Sequence, residues 1–233
     1  VAMGYTMVPA VALSNPDADQ LVRLIEYGHS PKIRLNIQTK DLGPIVTKNV
    51  IGEITGREFP DEVVVIGGHL DSWDLGTGAV DDGAGVAIAM ATATMIKNNT
   101  KQAPRRTIRV ILWGAEELGL IGARAYAKAR EADGTIAKHV IGSESDFGAG
   151  PVYGLQSSDN VSPNALHVVD TMAALMGELG VTRRSGNTSG GPDMMPLAAL
   201  GVPALNLMQD GTDYFDLHHT PDDTFDKVNP EHM

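Results

Sequence analysis

The chain has 233 residues, 42% hydrophobic and 20% charged, with 18 Lys+Arg against 29 Asp+Glu, a net charge of -11, and no cysteine. That length allows one large α/β domain, or a domain plus a fragment. The acidic balance argues against nucleic acid and anionic membrane surfaces as partners, and the lack of thiols excludes disulfides and thiolate metal sites. Any metal must then be held by His and carboxylates, a donor set that suits zinc, manganese or cobalt. No run approaches 18 consecutive apolar residues, so no membrane-spanning helix is expected. The opening Val-Ala-Met-Gly-Tyr-Thr lacks the basic start and apolar core of a signal peptide.

Residues 1–40 read strand, helix, strand. An apolar stretch covers 8–13, Ser14-Asn15-Pro16 opens a helix carrying Leu21, Val22, Leu24 and Ile25, and residues 33–38 alternate apolar and polar. This piece is too small for a core of its own and reads as the tail of a preceding domain. A linker with Gly43-Pro44 leads into the second domain, 41–233. There a strand over 49–54 is followed by turns at Gly56 and Pro60. The run Val63-Val64-Val65-Ile66 then reads as a buried strand delivering His69. Residues 83–97 form a helix with small apolar side chains nearly all round, the pattern of a helix buried against a sheet.

A strand over 107–113 runs into Gly114-Ala115-Glu116-Glu117, and a helix over 118–132 follows. Next come a strand over 137–143 leading to Glu144-Ser145-Asp146, an amphipathic helix over 163–179 and a glycine-flanked loop over 186–191. A short helix over 192–200, a strand over 203–208 and a tail with Tyr214, Phe215, His218 and His219 close the chain, which ends on what reads as the start of a further helix. This alternation predicts a three-layer α/β/α sandwich with a mixed, mostly parallel sheet.

Three strands thus end in groups able to bind metal: His69, Glu116-Glu117 and Asp146. His69, Asp71 and the pair Asp81-Asp82 make half of a metal site, or a surface loop with a capping Asp. Adjacent Glu116 and Glu117 diverge on leaving a strand, so one can bind a metal while the other faces a reacting water. Asp193, as the second residue of a short helix, reads as an acid favoured by the dipole. Tyr214 is either a site residue or a packing residue.

The motifs His69-Leu-Asp71, Asp81-Asp82-Gly83, Ala115-Glu116-Glu117-Leu-Gly, Glu144-Ser-Asp146 and His219-Thr-Pro-Asp-Asp-Thr224 occur in the order seen in the co-catalytic di-zinc exopeptidases. That family includes bacterial leucyl aminopeptidases, aminopeptidase Y, glutamate carboxypeptidase and carboxypeptidase Q. The resemblance covers residues 49–228, and His-Leu-Asp-Ser-Trp-Asp with His218-His219 looks closest to the carboxypeptidase Q branch.

The resemblance implies two zinc ions per chain, with Mn²⁺ or Co²⁺ as substitutes. One would be held by His69 and Asp146, the other by Glu117 and His219, with Asp81 bridging. It implies Glu116 as general base and acid, Asp71 accepting the second ring N–H of His69, a cis peptide between Asp81 and Asp82, and Asp193 near substrate. Asp82, a carboxylate beside the ligands, is a local candidate to meet a free amine, and Tyr214 a weaker substrate-side candidate. His218 stands where Tyr is commoner. Residues 1–40 resemble the end of a protease-associated domain. The implied function is a metallo-exopeptidase acting on dipeptides and short unblocked peptides, with a peptide as partner, room for a homodimer, and a secreted or periplasmic setting. Rivals are carboxypeptidase polarity, a deacylase or glutaminyl cyclase relative, and a metal-free binding module on the same fold.

Overall fold

The computed structural model describes residues 11–38, 40 and 42–233. They fall into two units, one reaching to Val46 and one running from Thr47 to Met233. In the first, helix α1 (Asn15–Glu26) starts at Ser14, whose hydroxyl accepts from the Asp17 N–H, with Pro16 in its first turn. No residue of α1 is buried. The strand expected over 33–38 does not form, and Ile33, Leu35 and Ile37 are exposed. Alternation provides a face, but a strand also needs a neighbour to share its ladder, and no described residue of this unit supplies one. Of the strand expected over 8–13, residues 8–10 lie outside the described residues and 11–13 are not extended into a ladder.

The second unit holds strands β1 (Val50–Ile54), β2 (Phe59–His69), β3 (Arg106–Trp113), β4 (His139–Glu144), β5 (Val152–Ser157), β6 (Thr182–Arg183) and β7 (Leu205–Gln209). Its helices are α2 (Ala84–Asn99), α3 (Ile121–Ala132), α4 (Pro163–Leu175), α5 (Met195–Ala198) and α6 (Tyr214–Leu217). The first sheet has the order β1-β3-β2-β4, with β2 parallel to β3 and β4 and β1 antiparallel at the edge. The second has the order β6-β5-β7, with β5 parallel to β6 and antiparallel to β7. One parallel bridge, Gly142 to Ala204, joins them. The single sheet expected from the sequence is interrupted because the N–H of Glu144, past that bridge, donates to the Gly190 carbonyl instead of to a strand. Strands β5 and β6 carry no long apolar run and were not anticipated.

Side-chain alternation sorts the layers. Val63 and Val65 of β2, with Ile111 and Trp113 of β3, face Ala123, Tyr126 and Ala127 of α3 and Leu197 of α5. Val64 and Ile66 point to the opposite face, where α2 packs on β2 and β3. Helix α4 closes over the second sheet through Val169 and Ala173 against Leu155. This is the mixed three-layer α/β arrangement. Only Ala84, Gly85 and Ala89 of α2 are buried, however, and Met90 and Met95 face outward. With the turn before it, Ala79–Asn99 is long and apolar enough to cross a membrane by length and composition, which the reading by consecutive apolar residues had excluded. Here its first turn carries buried Asp81 and Asp82 and its small residues lie on the sheet.

Candidate metal centre

The parallel register fixes the frame of the site. His69 lies opposite Trp113 and Gly67 opposite Glu144, so β2, β3 and β4 end at one level. Ligands collect outside such carboxyl ends in open α/β sheets. His69 is buried, and its Nδ1 lies 2.8 Å from the backbone carbonyl of Asp71. A carbonyl only accepts, so Nδ1 carries a hydrogen and Nε2 faces the cluster. That Nε2 is 3.1 Å from Asp81 Oδ1 and 3.5 Å from Asp146 Oδ1.

The Asp71 carboxylate sits 3.8 Å from His69 Nδ1 and accepts from the backbone N–H groups of Glu116 (3.0 Å) and Glu117 (3.2 Å). The left-handed backbone at Ala115 (φ 58°) turns the chain out of β3, and the two N–H groups that follow are the donors Asp71 meets. Asp71 thereby positions the two glutamates, while its own carbonyl orients His69.

Asp81 arrives on the turn between Ala79 and Gly83, and its peptide bond to Asp82 is cis, as the resemblance implies. Asp223 holds this turn. Its Oδ1 accepts from Val80 N–H (2.6 Å) and its Oδ2 from Asp81 N–H (3.1 Å). Asp223 is buried and went unassigned in the sequence, although it lies inside the quoted His-Thr-Pro-Asp-Asp motif. The start of α2 lies close on the strand ends: a Cβ on Gly68 would come within 2.5 Å of Asp82 Oδ2, and one on Gly85 would collide with the Ser145 carbonyl. Asp82 therefore turns inward. Its oxygens accept from His69 N–H (2.9 Å) and Gly85 N–H (3.1 Å), and burial pushes its carboxyl well above the usual range. In this position it holds backbone N–H groups of β2 and α2.

The other side of the centre comes from loops. Glu117 Oε2 lies 2.9 Å from His219 Nε2 and accepts from the Trp73 indole at 2.8 Å. His219 Nε2 is 3.3 Å and His218 Nε2 3.5 Å from Asp81 Oδ2. Asp81 thus offers Oδ1 to the His69 side and Oδ2 to the His219 side. Among the described residues, two sets of donor atoms converge closely enough to hold a cation: His69, Asp81, Asp146 and Asp81, His218, His219.

Electrostatics fit cations at both. Glu117 Oε1 is buried without a hydrogen-bond partner, and the buried Asp81 Oδ2 and Asp146 Oδ1 face imidazole nitrogens at 3.3 and 3.5 Å, an arrangement costly unless positive charge lies among them. Burial opposes a charge on Asp81, but the hydrogen bond from His69 and the positive fields of His69, His218 and His219 keep its carboxyl low. Burial also opposes a charge on His69, yet hydrogen bonds to Asp146 and Asp81 hold its proton up to about 12. Burial first, then neighbouring acids, raise Glu116 and Glu117 to about 7.

Asp193 is fully buried with both oxygens unpartnered. Its N–H donates to Glu144 Oε2 (2.7 Å), and burial followed by the Glu116 charge brings it to about 7. Tyr214 is buried, its ring stacked on Phe147 at 4.8 Å. Burial and then the charges of Asp146, Asp81 and Asp82 raise its hydroxyl. Asp223, Trp73 and His218 are the neighbours of the cluster that no sequence assignment reached. Trp73 and His218 lay within the quoted motifs, which was the available signal.

Histidines and carboxylates gathered at the strand ends of a mixed α/β fold make a donor set able to hold metal ions. The chain belongs to peptidase family M28, whose model matches residues 49–233. It is 34% identical over 230 residues to carboxypeptidase Q of Rattus norvegicus, an alignment covering 99% of this chain and 48% of the relative. It is 47% identical to a peptidase M28 precursor of Shewanella amazonensis, with a TM-score of 0.84 over 99% of this chain and 51% of that one. A zinc aminopeptidase of Bacillus subtilis shares the fold at 23% identity and a TM-score of 0.63, over 79% of this chain and 46% of that one. The chain spans about half the length of these relatives.

Proposed function

We propose that this chain carries the catalytic domain (41–233) of a two-zinc exopeptidase that hydrolyses the N-terminal peptide bond of dipeptides and short unblocked peptides, and that residues 1–40 are the end of a preceding protease-associated-like domain. The observation that carries the metal reading is the division of Asp81, one oxygen toward His69 and Asp146, the other toward His219 beside Glu117. His69, Asp81 and Asp146 would hold one ion, and Asp81, Glu117 and His219 the other. Zinc bound there supplies Lewis acidity to a carbonyl and a lowered pKa to water.

Glu116, half-buried on the turn after β3 and raised to about 7, is poised to take a proton from the attacking water and return it to the leaving amine. Asp71 fixes the backbone of Glu116 and Glu117. Asp193, buried with both oxygens unpartnered, is assigned to an ammonium group, whose positive charge would oppose the proton that burial and the Glu116 field favour. Tyr214 backs His218, with ring centroids 4.9 Å apart.

Arg is the usual fork for a terminal carboxylate, but Arg183 is engaged with Asp170, the Leu155 carbonyl and Ser157, while Arg184 lies over the Tyr153 ring. The carboxylate-rich centre therefore favours a free amine. The likeness to carboxypeptidase Q favours the opposite polarity as a second reading. One peptide compared in free, N-acetylated and C-amidated forms decides between them. Acetylation should abolish cleavage and amidation should matter less. Efficient hydrolysis of the acetylated form, lost on amidation, would overturn amine recognition.

A further inference from the structure

The His219 side of the centre contains one imidazole more than the two-ion assignment uses. His218 sits at the end of α6, its N–H bonded to the Tyr214 carbonyl at 2.7 Å. Neighbouring side chains on an extended chain point to opposite sides. Here His219 adopts the left-handed region at φ 59°, a conformation that non-glycine residues hold only where their surroundings enforce it. The two rings consequently lie side by side, centroids 3.5 Å apart and planes 24° apart. Both Nε2 atoms face Asp81 Oδ2, and the three donor atoms all lie within 4.8 Å of one another. Aromatic rings hold the pair from both ends: Tyr214 and Phe215 pack on His218 at 4.9 and 5.7 Å, and Trp73 packs on His219 at 5.4 Å.

We propose that His218 is itself a metal ligand, so that the ion on the His219 side is held by His218, His219, Asp81 and Glu117. This rests on the two-ion reading above. The two positions then differ in kind. One has two imidazoles and two carboxylates, a complete four-donor set of the sort that closes a zinc site. The other has His69, Asp81 and Asp146, three protein donors that leave a position open for water or substrate, as catalytic zinc sites do. Imidazole favours zinc, and oxygen donors favour harder ions such as manganese. Zinc is therefore retained most firmly on the His218 side, while the His69 side exchanges first and accepts manganese more readily. The packed His218 ring already turns its Nε2 toward Asp81, 3.5 Å from Oδ2.

The test compares the zinc-loaded protein with His218→Phe, a change that keeps the stacked ring and deletes the donor. Competition with a chromophoric chelator reads zinc affinity, and X-ray absorption counts imidazoles around zinc. The wild type should show two unequal sites and three imidazoles per two ions. His218→Phe should weaken the tighter site by more than the roughly 10–100-fold that loss of an outer-shell partner costs, and lower the count to two. Two imidazoles per two ions in the wild type overturns the proposal, whatever the variant does, and leaves His218 facing substrate. Wild-type affinities retained in a folded His218→Phe overturn it as well. A wild type that binds no zinc sinks the two-ion reading instead, so the two failures are distinguishable.

Discussion

His69 and Asp146 leave adjacent strand ends, and their side chains are 1% and 7% exposed, whereas His218 and His219 follow a four-residue helix and are 27% and 38% exposed. The first pair is placed by the β-ladder, which fixes backbone positions through many hydrogen bonds at once. The second is placed by a left-handed residue, ring packing and one carboxylate, Asp223, that ties the Asp81 turn to the tail. One centre thus joins a rigid half to an adjustable one, with Asp81 as the shared member. Changes on the loop half should alter affinity in degrees, and changes near the reacting atoms should alter turnover without emptying either half.

Glu116 gives the largest expected effect. Glu116→Gln removes the proposed base and keeps the shape, so turnover should fall by about 10²–10⁴-fold with metal content unchanged by mass spectrometry. Loss of a metal would make Glu116 a ligand and break the division of roles. Asp223→Ala comes next. It strips the acceptor from two buried N–H groups on the shared turn, so zinc affinity should fall on both halves, by roughly 10–100-fold. A loss confined to one half would show that Asp81 is not shared.

The pH dependence of stability separates the protein with and without ions. Glu116 and Glu117 are raised from 4.5 and Asp193 from 3.8, each to about 7. The folded state then binds protons that the unfolded state has released, so this contribution is full below about pH 4 and lost as pH rises through 7. His69, raised from 6.5 to about 12, adds stability that is full below 6.5 and fades as pH rises toward 12. Chelator-stripped protein should therefore lose melting temperature steadily from pH 5 to pH 9. Zinc-loaded protein should lose less, because zinc displaces those protons and binds more tightly as they leave. A stripped protein that gains stability over that range contradicts the assigned shifts. The smallest effect is Trp73→Phe. It deletes one hydrogen bond to Glu117, worth about 0.5–1.5 kcal/mol, and chelator competition should find the affinity of the His219 side reduced by no more than about tenfold.

Much of this was legible in the chain. The runs that became β2, β3 and β4, and the groups at their ends, follow from period and punctuation, because a strand buried on both faces must be apolar and must stop where polar groups begin. Elements without such runs were not legible: β5 and the two-residue β6 exist through their neighbours. The alternating stretch over 33–38 showed the converse, a strand pattern with no partner. Asp71 and Asp82 are legible as acids near the cluster, but their backbone contacts are not, since a carboxylate reaching a backbone N–H looks the same in sequence as one reaching a ligand.

The sequence by itself determined which chemistry is available. With no thiol, a net charge of -11 and histidines and acids at strand ends, only an oxygen and nitrogen metal centre can be built. Tertiary structure alone decided how those groups divide. Asp81 turns one oxygen to each side, Asp82 turns inward because Gly68 and Gly85 let α2 close on the sheet, and the left-handed His219 brings His218 beside it. The physical reason is that residue type sets what a side chain can bind, while the direction it points depends on backbone angles and neighbours brought together from far along the chain.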